Sequence, residues 1–306
     1  MKKHIFATFI FVLLFFPSPA QDELMKMIDD PGQAPGKKLF TTATFKSTRL
    51  INGHSVENAA AGVLDVRISH RFGFINQGAY QLFGLDQASM RFGFDYGLSN
   101  RLMIGIGRST YQKQYDGFVK FKLVRQGFRG NGGSPVTVSL LVSMMIETLK
   151  WEDPKIKNYS TSHMVYAWQI LVARKFSDAL SLQLMPSFVH YNIVKQSNYP
   201  NDIFALGAGG RIKLSKRISF NAEYYHILPI ALVKGEDYRL PGTTNSLAIG
   251  FDIETGGHVF QLHFTNSTGM TEKTFITETT GNFFKGEIHF GFNLSRVFTI
   301  RSNRRK

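Results

Sequence analysis

The sequence predicts an all-β fold, a closed antiparallel up-and-down transmembrane β-barrel of about twelve strands, from three observations. Apolar and polar residues alternate with period two over most of the chain. Short turns and long loops alternate between the segments that show this pattern. An apolar stretch close to the first residue has the features of an export signal. Together they indicate an exported chain whose strands present their apolar faces to lipid.

The alternation is clearest between Leu247 and Phe298. The residues between the apolar positions are polar, small or charged. Since successive side chains of a strand point to opposite faces, each strand has one apolar and one polar face. The apolar positions are Leu247, Ile249, Phe251 and Ile253, then Phe260, Leu262 and Phe264, then Ile288, Phe290, Phe292 and Leu294.

Nine further segments have strand signals, which gives about twelve strands of the roughly ten-residue length that a tilted membrane strand needs. They are 62–72, 87–97, 102–109, 118–125, 136–149, 165–176, 180–192, 203–214 and 218–226. Tight turns are predicted at 99–100, 177–178, 215–216 and 255–257, and long loops at 73–86, 150–164, 193–202, 227–244 and 267–286. Only 126–135 breaks the order. Short periplasmic turns opposite long outer loops are typical of outer-membrane barrels.

The membrane interior requires the sheet to close. An unpaired backbone group in hydrocarbon costs several kcal/mol, so the last strand must pair with the first. The predicted barrel spans 62–298, and Phe298 ends its last strand where an aromatic residue favours recognition by the barrel-insertion machinery. Residues 299–306 follow as a basic periplasmic tail.

The first residues predict a signal peptide, 1–20. Lys2 and Lys3 precede an apolar run from Ile5 to Phe16, which is too short to span a bilayer as a helix, and cleavage is expected near Ala20. The predicted location is therefore the outer membrane of a Gram-negative bacterium. Residues 21–38, rich in Pro, Gly and acidic residues, are predicted to be a flexible linker.

Residues 39–61 are too polar for a lipid-facing strand. They are expected either to enter the lumen as a plug or to form a periplasmic docking arm. The candidate plug residues are Phe45, Lys46, Arg49, Asn52 and His54.

The amino-acid composition limits the kinds of partner and site that the chain can have. The chain has no Cys, which excludes disulfides and Cys-based zinc sites. Its net charge of +14 suits anionic lipid headgroups or a small anionic solute, and no nucleic-acid-binding motif accompanies it. Outer-membrane lipid, the insertion machinery and such a solute are the expected partners. No cofactor is expected.

The polar faces carry the candidate lumen-lining residues. These side chains either line a polar pore or hold a plug, or they pair with one another inside a narrow barrel, and a barrel of about twelve strands permits each arrangement. The candidates are Arg67, Arg71, Arg91, Asp95, Lys120, Arg211, Glu223, Asp252, Glu254, His263 and His289.

His263, Asn266 and Ser267 are the residue types that a membrane hydrolase uses. His263 and Ser267 share a strand face, but residues four apart on a strand are roughly 13 Å apart, beyond hydrogen-bond reach. The histidines also lack a metal-binding spacing. We therefore expect no catalytic residue, no metal site and no enzyme activity.

Several segments resemble a family of membrane-bound β-barrel proteins of unknown function from Bacteroidetes-type Gram-negative bacteria. The resemblance implies an outer-membrane barrel and supplies no catalytic residues. The segments that carry it are 44–57 (TFKSTRLINGHSVE), 64–73 (LDVRISHRFG), 84–109, 205–225, 250–269 (GFDIETGGHVFQLHFTNSTG) and 288–298.

Three functions remain open from the sequence. The first is a porin-like pore or transporter for an unidentified small solute. The alternative is a non-conducting barrel that anchors or docks a partner protein. A less favoured third is an outer-membrane hydrolase.

Overall fold

Twelve strands form the fold in the computed structural model, which describes residues 40–127, 133–151, 159, 161–230 and 237–301. The predicted signal peptide, the predicted linker and the tail beyond Arg301 lie outside the described residues. The strands are β1 (Val63–Phe74), β2 (Ala88–Gly97), β3 (Leu102–Ser109), β4 (Tyr115–Val124), β5 (Thr137–Ile146), β6 (Met164–Lys175), β7 (Leu180–Tyr191), β8 (Asp202–Lys213), β9 (Ile218–Ile227), β10 (Ser246–Thr255), β11 (His258–Thr265) and β12 (His289–Thr299).

Short helical turns occupy some of the connections. Four are 3₁₀ helices, at Ile75–Gln77, Ala79–Gly84, Tyr111–Lys113 and Phe283–Lys285, and Lys273–Thr277 forms one turn of π-helix. None of the described helices is long and apolar enough to cross a membrane.

The sheet closes on itself, as predicted. Each strand pairs antiparallel with its neighbours in the chain, and β12 pairs with β1 from Val63 opposite Thr299 to Phe74 opposite His289. The prediction of a closed antiparallel barrel with twelve strands is confirmed. One boundary is corrected: β12 continues one residue beyond Phe298, so Thr299 belongs to the barrel and not to the tail.

The two faces of the wall have opposite chemistry. Outward side chains such as Phe94, Ile106, Val142, Ile170 and Phe251 are apolar and exposed. The alternate side chains of β1 to β4 and β9 to β12 are mostly polar or charged and buried. Exposed apolar side chains around a whole closed sheet suit a lipid environment, whereas water would favour the reverse arrangement.

Part of the inner wall is apolar, which differs from the predicted polar inner face. On β5 to β9, the buried inward side chains include Met145, Leu171, Met185, Val189 and Ile203. They pack against apolar residues of two segments that fill the lumen. The wall can be apolar there because these segments replace water as its neighbour.

One filling segment, which we call the plug segment, comprises residues 40–61 and leads directly into β1. The other, which we call the inward loop, comprises residues 266–281 between β11 and β12. Most of both segments is buried. Glycine allows the plug segment to approach the wall: a Cβ added at Gly97 would lie 2.1 Å from the carbonyl oxygen of Ala60.

Candidate functional site

The plug segment turns back on itself at the centre of the barrel. Arg49 and His54 face each other in an antiparallel bridge, and the Leu50 N–H donates to the Gly53 carbonyl at 2.8 Å. The Ser55 N–H donates to the Thr48 carbonyl at 3.0 Å. This turn leaves several backbone groups at its tip without partners inside the segment, so they must be satisfied by the wall.

Glu223 on β9 receives the tip of the turn. Its carboxylate accepts hydrogen bonds from three consecutive backbone N–H groups, those of Ile51 (3.2 Å), Asn52 (2.8 Å) and Gly53 (3.1 Å). Successive N–H groups of a turn form a concave site for an anion. Here the wall supplies the anion and the plug segment supplies the donors.

Three amides of the wall satisfy neighbouring backbone groups of the plug segment. Gln183 accepts from the Val56 N–H at 2.9 Å and donates to the His54 carbonyl at 2.7 Å. Gln261 donates to the Leu50 carbonyl at 2.7 Å, and Asn293 donates to the Ile51 carbonyl at 3.0 Å. The backbone of the turn is therefore completed by side chains of β7, β11 and β12, as a neighbouring strand would complete it.

The basic residues of the wall also bind the plug segment. Lys120 donates to the carbonyls of Thr48 (3.4 Å), Ser55 (3.0 Å) and Glu57. Arg211 donates to two further plug carbonyls, with distances of 3.3 Å to Ala43 and 3.2 Å to Thr44.

Three arginines of the adjoining wall are buried beside the plug segment. Arg67 donates to the hydroxyl oxygens of Ser47 and Thr48, both at 2.9 Å. Arg71 donates to Asn52 Oδ1 at 2.6 Å, and Arg91 pairs with Asp116 on β4.

The plug segment and the inward loop meet at Glu272. Arg49 Nη1 lies 3.3 Å from Glu272 Oε1, and His54 Nε2 lies 3.5 Å from the same oxygen. Burial lowers the pKa of His54 well below its ordinary value, and the positive charges of Arg49 and Lys120 lower it further. His54 is therefore neutral, and Arg49 is the counter-charge of Glu272.

The predicted lumen-lining residues occupy different positions. Ten of the eleven are buried inside the barrel, and Arg67, Arg71, Lys120, Arg211 and Glu223 contact the plug segment as described. Glu254 differs from the prediction: its side chain is 41% exposed at the rim, where it pairs with Lys46.

The remaining predicted side chains have other surroundings within the described part of the chain. Asp252 accepts from Gln261 at 2.7 Å, whereas both carboxylate oxygens of Asp95 are buried without a hydrogen-bond donor. His289 contacts the Phe72 carbonyl (2.7 Å) and the Thr268 hydroxyl (2.9 Å) through its two ring nitrogens.

The predicted plug residues all lie in the plug segment, and four of the five are buried. Phe45 packs in the apolar part of the lumen, and Arg49, Asn52 and His54 lie at the turn. Lys46 is the exception, because it reaches the rim beside Glu254.

The hydrolase residue types are not assembled around a Ser–His hydrogen bond. The Ser267 hydroxyl donates to the Gly269 carbonyl at 3.3 Å, and neither ring nitrogen of His263 has a hydrogen-bond partner among the described residues. Asn266 instead binds backbone groups, with its Nδ2 donating to the Gly281 carbonyl at 2.8 Å. No group of three or more potential metal ligands occurs in the described ranges.

Sequence reasoning missed the inward loop and several wall residues that complete the site. Asp65 pairs with Arg67 at 3.1 Å, and Gln183, Gln261 and Asn293 satisfy the plug backbone. All four lie at polar positions of alternating strands, and that pattern could have identified them. The polar sequence of 266–281 contains no local signal that distinguishes a loop folded inward from one in solvent.

Residues 45–298 match the model of a family described as membrane bound beta barrel domain (DUF5777). The chain therefore belongs to this family, and it is a membrane-bound β-barrel. No curated protein sequence matches it.

Solved structures are similar at low sequence identity. The NanC porin is 10% identical with a TM-score of 0.46, over 77% of this chain and 98% of the porin. An outer membrane channel from Pseudomonas putida F1 is 12% identical with a TM-score of 0.47, over 79% of this chain and 98% of the channel. Omp33, an outer membrane protein of Acinetobacter baumannii, is 8% identical with a TM-score of 0.39, over 77% of this chain and 97% of that protein.

Proposed function

We propose that this protein is an outer-membrane channel for a small anionic solute, and that the plug segment closes it. The observation that carries the proposal is the way the plug segment is held. Its turn is bound mainly through backbone groups, by Glu223, Gln183, Gln261 and Asn293 of the wall. The porin and channel neighbours suggest this class of function without identifying the solute.

Because hydrogen bonds attach the plug segment to the wall, the plug segment can leave the lumen and return to it. Water can replace each wall–plug hydrogen bond when the plug segment moves away, so a typical bond contributes a net of only about 0.5–1.5 kcal/mol, or about 1.5–3 kcal/mol where a charged group takes part. Its buried apolar side chains, Phe45, Leu50 and Val56, add stability to the closed state. The closed state is therefore stable, although water can replace each of its hydrogen bonds in turn.

The charge of the lumen supports an anionic solute. Among the described residues, the buried charged side chains comprise eight cations and six carboxylates. This excess of positive charge would raise the local concentration of anions once water enters the lumen.

Single-channel recording in planar bilayers tests the proposal. The full-length protein is compared with a variant that lacks Gln21 to Ala61, after circular dichroism and resistance to unfolding in detergent have shown that both are folded. We expect rare, small openings from the full-length protein and a severalfold larger, persistent conductance from the deletion variant. Reversal potentials in a KCl gradient should show anion preference. A folded deletion variant that stays electrically silent would contradict the proposal.

The inward loop favours a second function, a non-conducting barrel that anchors or docks a partner protein. Its buried side chains, which include Phe275 and Ile276, fill part of the lumen in addition to the plug segment, and under this function they keep it closed when the plug segment is absent. In that case the deletion removes a partner-binding element and leaves the conductance unchanged. Co-purification of a periplasmic partner with the full-length protein, and its loss from the deletion variant, would support this function.

We also propose that the protein is not an enzyme. The proposal is supported by the Ser267 hydroxyl, which is occupied by the Gly269 carbonyl. Replacement of His263 and Ser267 should change no lipase or protease activity of the purified barrel. Activity that is present in the natural protein and lost in either variant would restore the hydrolase hypothesis.

A further inference from the structure

A small cavity lies where the plug segment, the inward loop and the wall meet. Its volume is about 10 Å³ for the centre of a water-sized sphere, which is space for about one small ion or water molecule. Four arginines line it: Arg49 from the plug segment, Arg67 and Arg71 from β1, and Arg91 from β2. Met270 of the inward loop also lines it, so all three parts of the molecule contribute.

Three of these arginines have a carboxylate partner within 4.0 Å and one does not. Arg49 pairs with Glu272, Arg67 with Asp65, and Arg91 with Asp116. The Arg71 side chain is 1% exposed, so water does not solvate its charge. Within the part of the chain that the structure describes, no carboxylate oxygen lies within 4.0 Å of its guanidinium group. The charge of Glu223 acts on Arg71 from beyond this distance, and its oxygens already accept from the turn of the plug segment. Arg71 therefore has no counter-charge in contact, and a buried charge in that position favours an anion beside it.

Arg71 instead donates to three neutral oxygens. These are the His70 carbonyl (2.9 Å), Asn52 Oδ1 (2.6 Å) and Asn293 Oδ1 (3.3 Å). Neutral acceptors satisfy hydrogen bonds and leave the net charge of the guanidinium unchanged. Asp95 is not a close partner either, because its carboxylate forms no ion pair with Arg71 and accepts no hydrogen bond from any described residue.

The arginines around the cavity also have donors to spare. Four of their buried nitrogens lack an acceptor among the described residues: Arg49 Nε, Arg67 Nε, Arg67 Nη1 and Arg71 Nε. Guanidinium groups can only donate. A monatomic anion accepts from several directions at once, whereas a water molecule must also place its own hydrogens and brings no charge into contact with Arg71.

We infer that this cavity binds one small inorganic anion, such as chloride. The anion supplies a counter-charge in contact with Arg71, and it joins the plug segment and the inward loop to the wall. Binding of the anion therefore stabilises the closed lumen, whether or not the barrel conducts.

Bromide provides a direct test, because it is similar to chloride and can be located by anomalous scattering. Crystals of the full-length protein grown with bromide in place of chloride should show an anomalous peak in the cavity within hydrogen-bond distance of Arg71. The peak should be absent from Arg71→Gln. It should persist in Arg211→Gln, a control that removes another buried arginine outside the cavity. A cavity that holds only water in bromide-grown crystals would overturn the inference.

Thermal unfolding in detergent gives an independent readout in solution. At constant ionic strength, replacing gluconate with chloride should raise the Tm of the natural protein by about 2–4 °C, because the anion binds only the folded state. Arg71→Gln should lose this shift, and Arg211→Gln should keep it. An equal shift in all three proteins, or none in the natural protein, would contradict the inference. If Arg71→Gln fails to fold, the bromide crystals and the chloride shift of the natural protein still decide it.

Discussion

The plug segment and the inward loop both fill the lumen, but different contacts hold them. The turn of the plug segment depends on side chains of the wall for its backbone hydrogen bonds, with Glu223 alone accepting three. The inward loop satisfies much of its own backbone: the Thr277 and Thr279 hydroxyls donate to the carbonyls of Lys273 and Phe275. The backbone of the plug turn therefore depends on the wall, whereas the inward loop satisfies much of its own backbone and contacts its surroundings through side chains such as Lys273, which pairs with Glu147.

The covalent connections reinforce this difference. The inward loop continues into a strand at both ends, β11 and β12. The plug segment continues into β1 at residue 62, and its other described end is held by a hydrogen bond from the Thr41 N–H to the Gln126 carbonyl at 2.8 Å. The inward loop also packs Phe275 against Tyr225, with 5.2 Å between ring centroids. We therefore interpret the inward loop as a fixed constriction and the plug segment as the part that moves.

The largest expected effect comes from removing both segments. If the inward loop is a fixed constriction, a deletion of Gln21 to Ala61 combined with a short Gly-Ser replacement of 268–279 should conduct several times more than the plug deletion alone. The replacement alone should conduct little, because the plug segment remains. Bilayer recordings of the three variants measure this order. Equal conductance of the single plug deletion and the double variant would show that the inward loop does not narrow the channel.

The contact between the two segments should have the next largest effect. Glu272→Gln leaves Arg49 buried without its carboxylate, which should destabilise the closed lumen by about 3–5 kcal/mol. The chain has no natural cysteine, so maleimide labelling of a Ser55→Cys background reports opening, because Ser55 is fully buried. Glu272→Gln should speed labelling strongly, and the double variant with Arg49→Gln should recover part of the loss. The absence of any recovery would show that the two side chains do not act as a pair.

Glu223→Gln should have a smaller effect. A glutamine has one acceptor oxygen for the three backbone N–H groups of the turn, and a buried donor left unsatisfied costs about 1–3 kcal/mol. Labelling of Ser55→Cys should therefore accelerate less than with Glu272→Gln. Unchanged labelling would mean that Glu223 does not hold the turn in the closed state.

Breaking the ion pair at the rim should have the smallest effect on closure. Lys46 and Glu254 form an ion pair with side chains that are 22% and 41% exposed. Such a pair contributes about 0–1 kcal/mol because solvent screens it. Glu254→Gln is therefore the matched control for Glu223→Gln, with the same change of side chain at an exposed position. Labelling as fast as in Glu223→Gln would indicate that any loss of a carboxylate loosens the plug segment.

The wall could be predicted from the sequence, because alternation is a local property of each strand. β3 has the predicted bounds, Leu102–Ser109, and most other strands differ from prediction by one or two residues. The largest differences are that β4 begins at Tyr115 rather than at Phe118 and that β5 ends at Ile146 rather than at residue 149. Phe118 is an apolar side chain that points into the lumen and contacts His54, which alternation alone does not predict.

The filling of the lumen could be predicted only in part. The polar character of 39–61 predicts a plug or a docking arm, and the five candidate plug residues follow from it. The choice between these alternatives depends on partners up to 242 residues away, such as Asn293 for Ile51. The sequence of the inward loop predicts its position even less well, because the threonines that are buried there are also common in exposed loops.

Gly62 lies at the junction that closes the barrel, and this junction bears on how the barrel assembles. Its carbonyl accepts hydrogen bonds from Ile300 and Arg301, and its N–H donates to the Gly97 carbonyl, so it lies where the first and last strands join. A positive φ of 78° and a distance of 2.2 Å from its added Cβ to the Arg301 carbonyl oxygen leave room only for glycine. The partners of the plug turn come from β7, β9, β11 and β12, and they surround a common space only after the seam has formed. We therefore expect the earliest part of the described chain to be synthesised to be the last to find its place, so that a nascent barrel with an open seam has an unsealed interior.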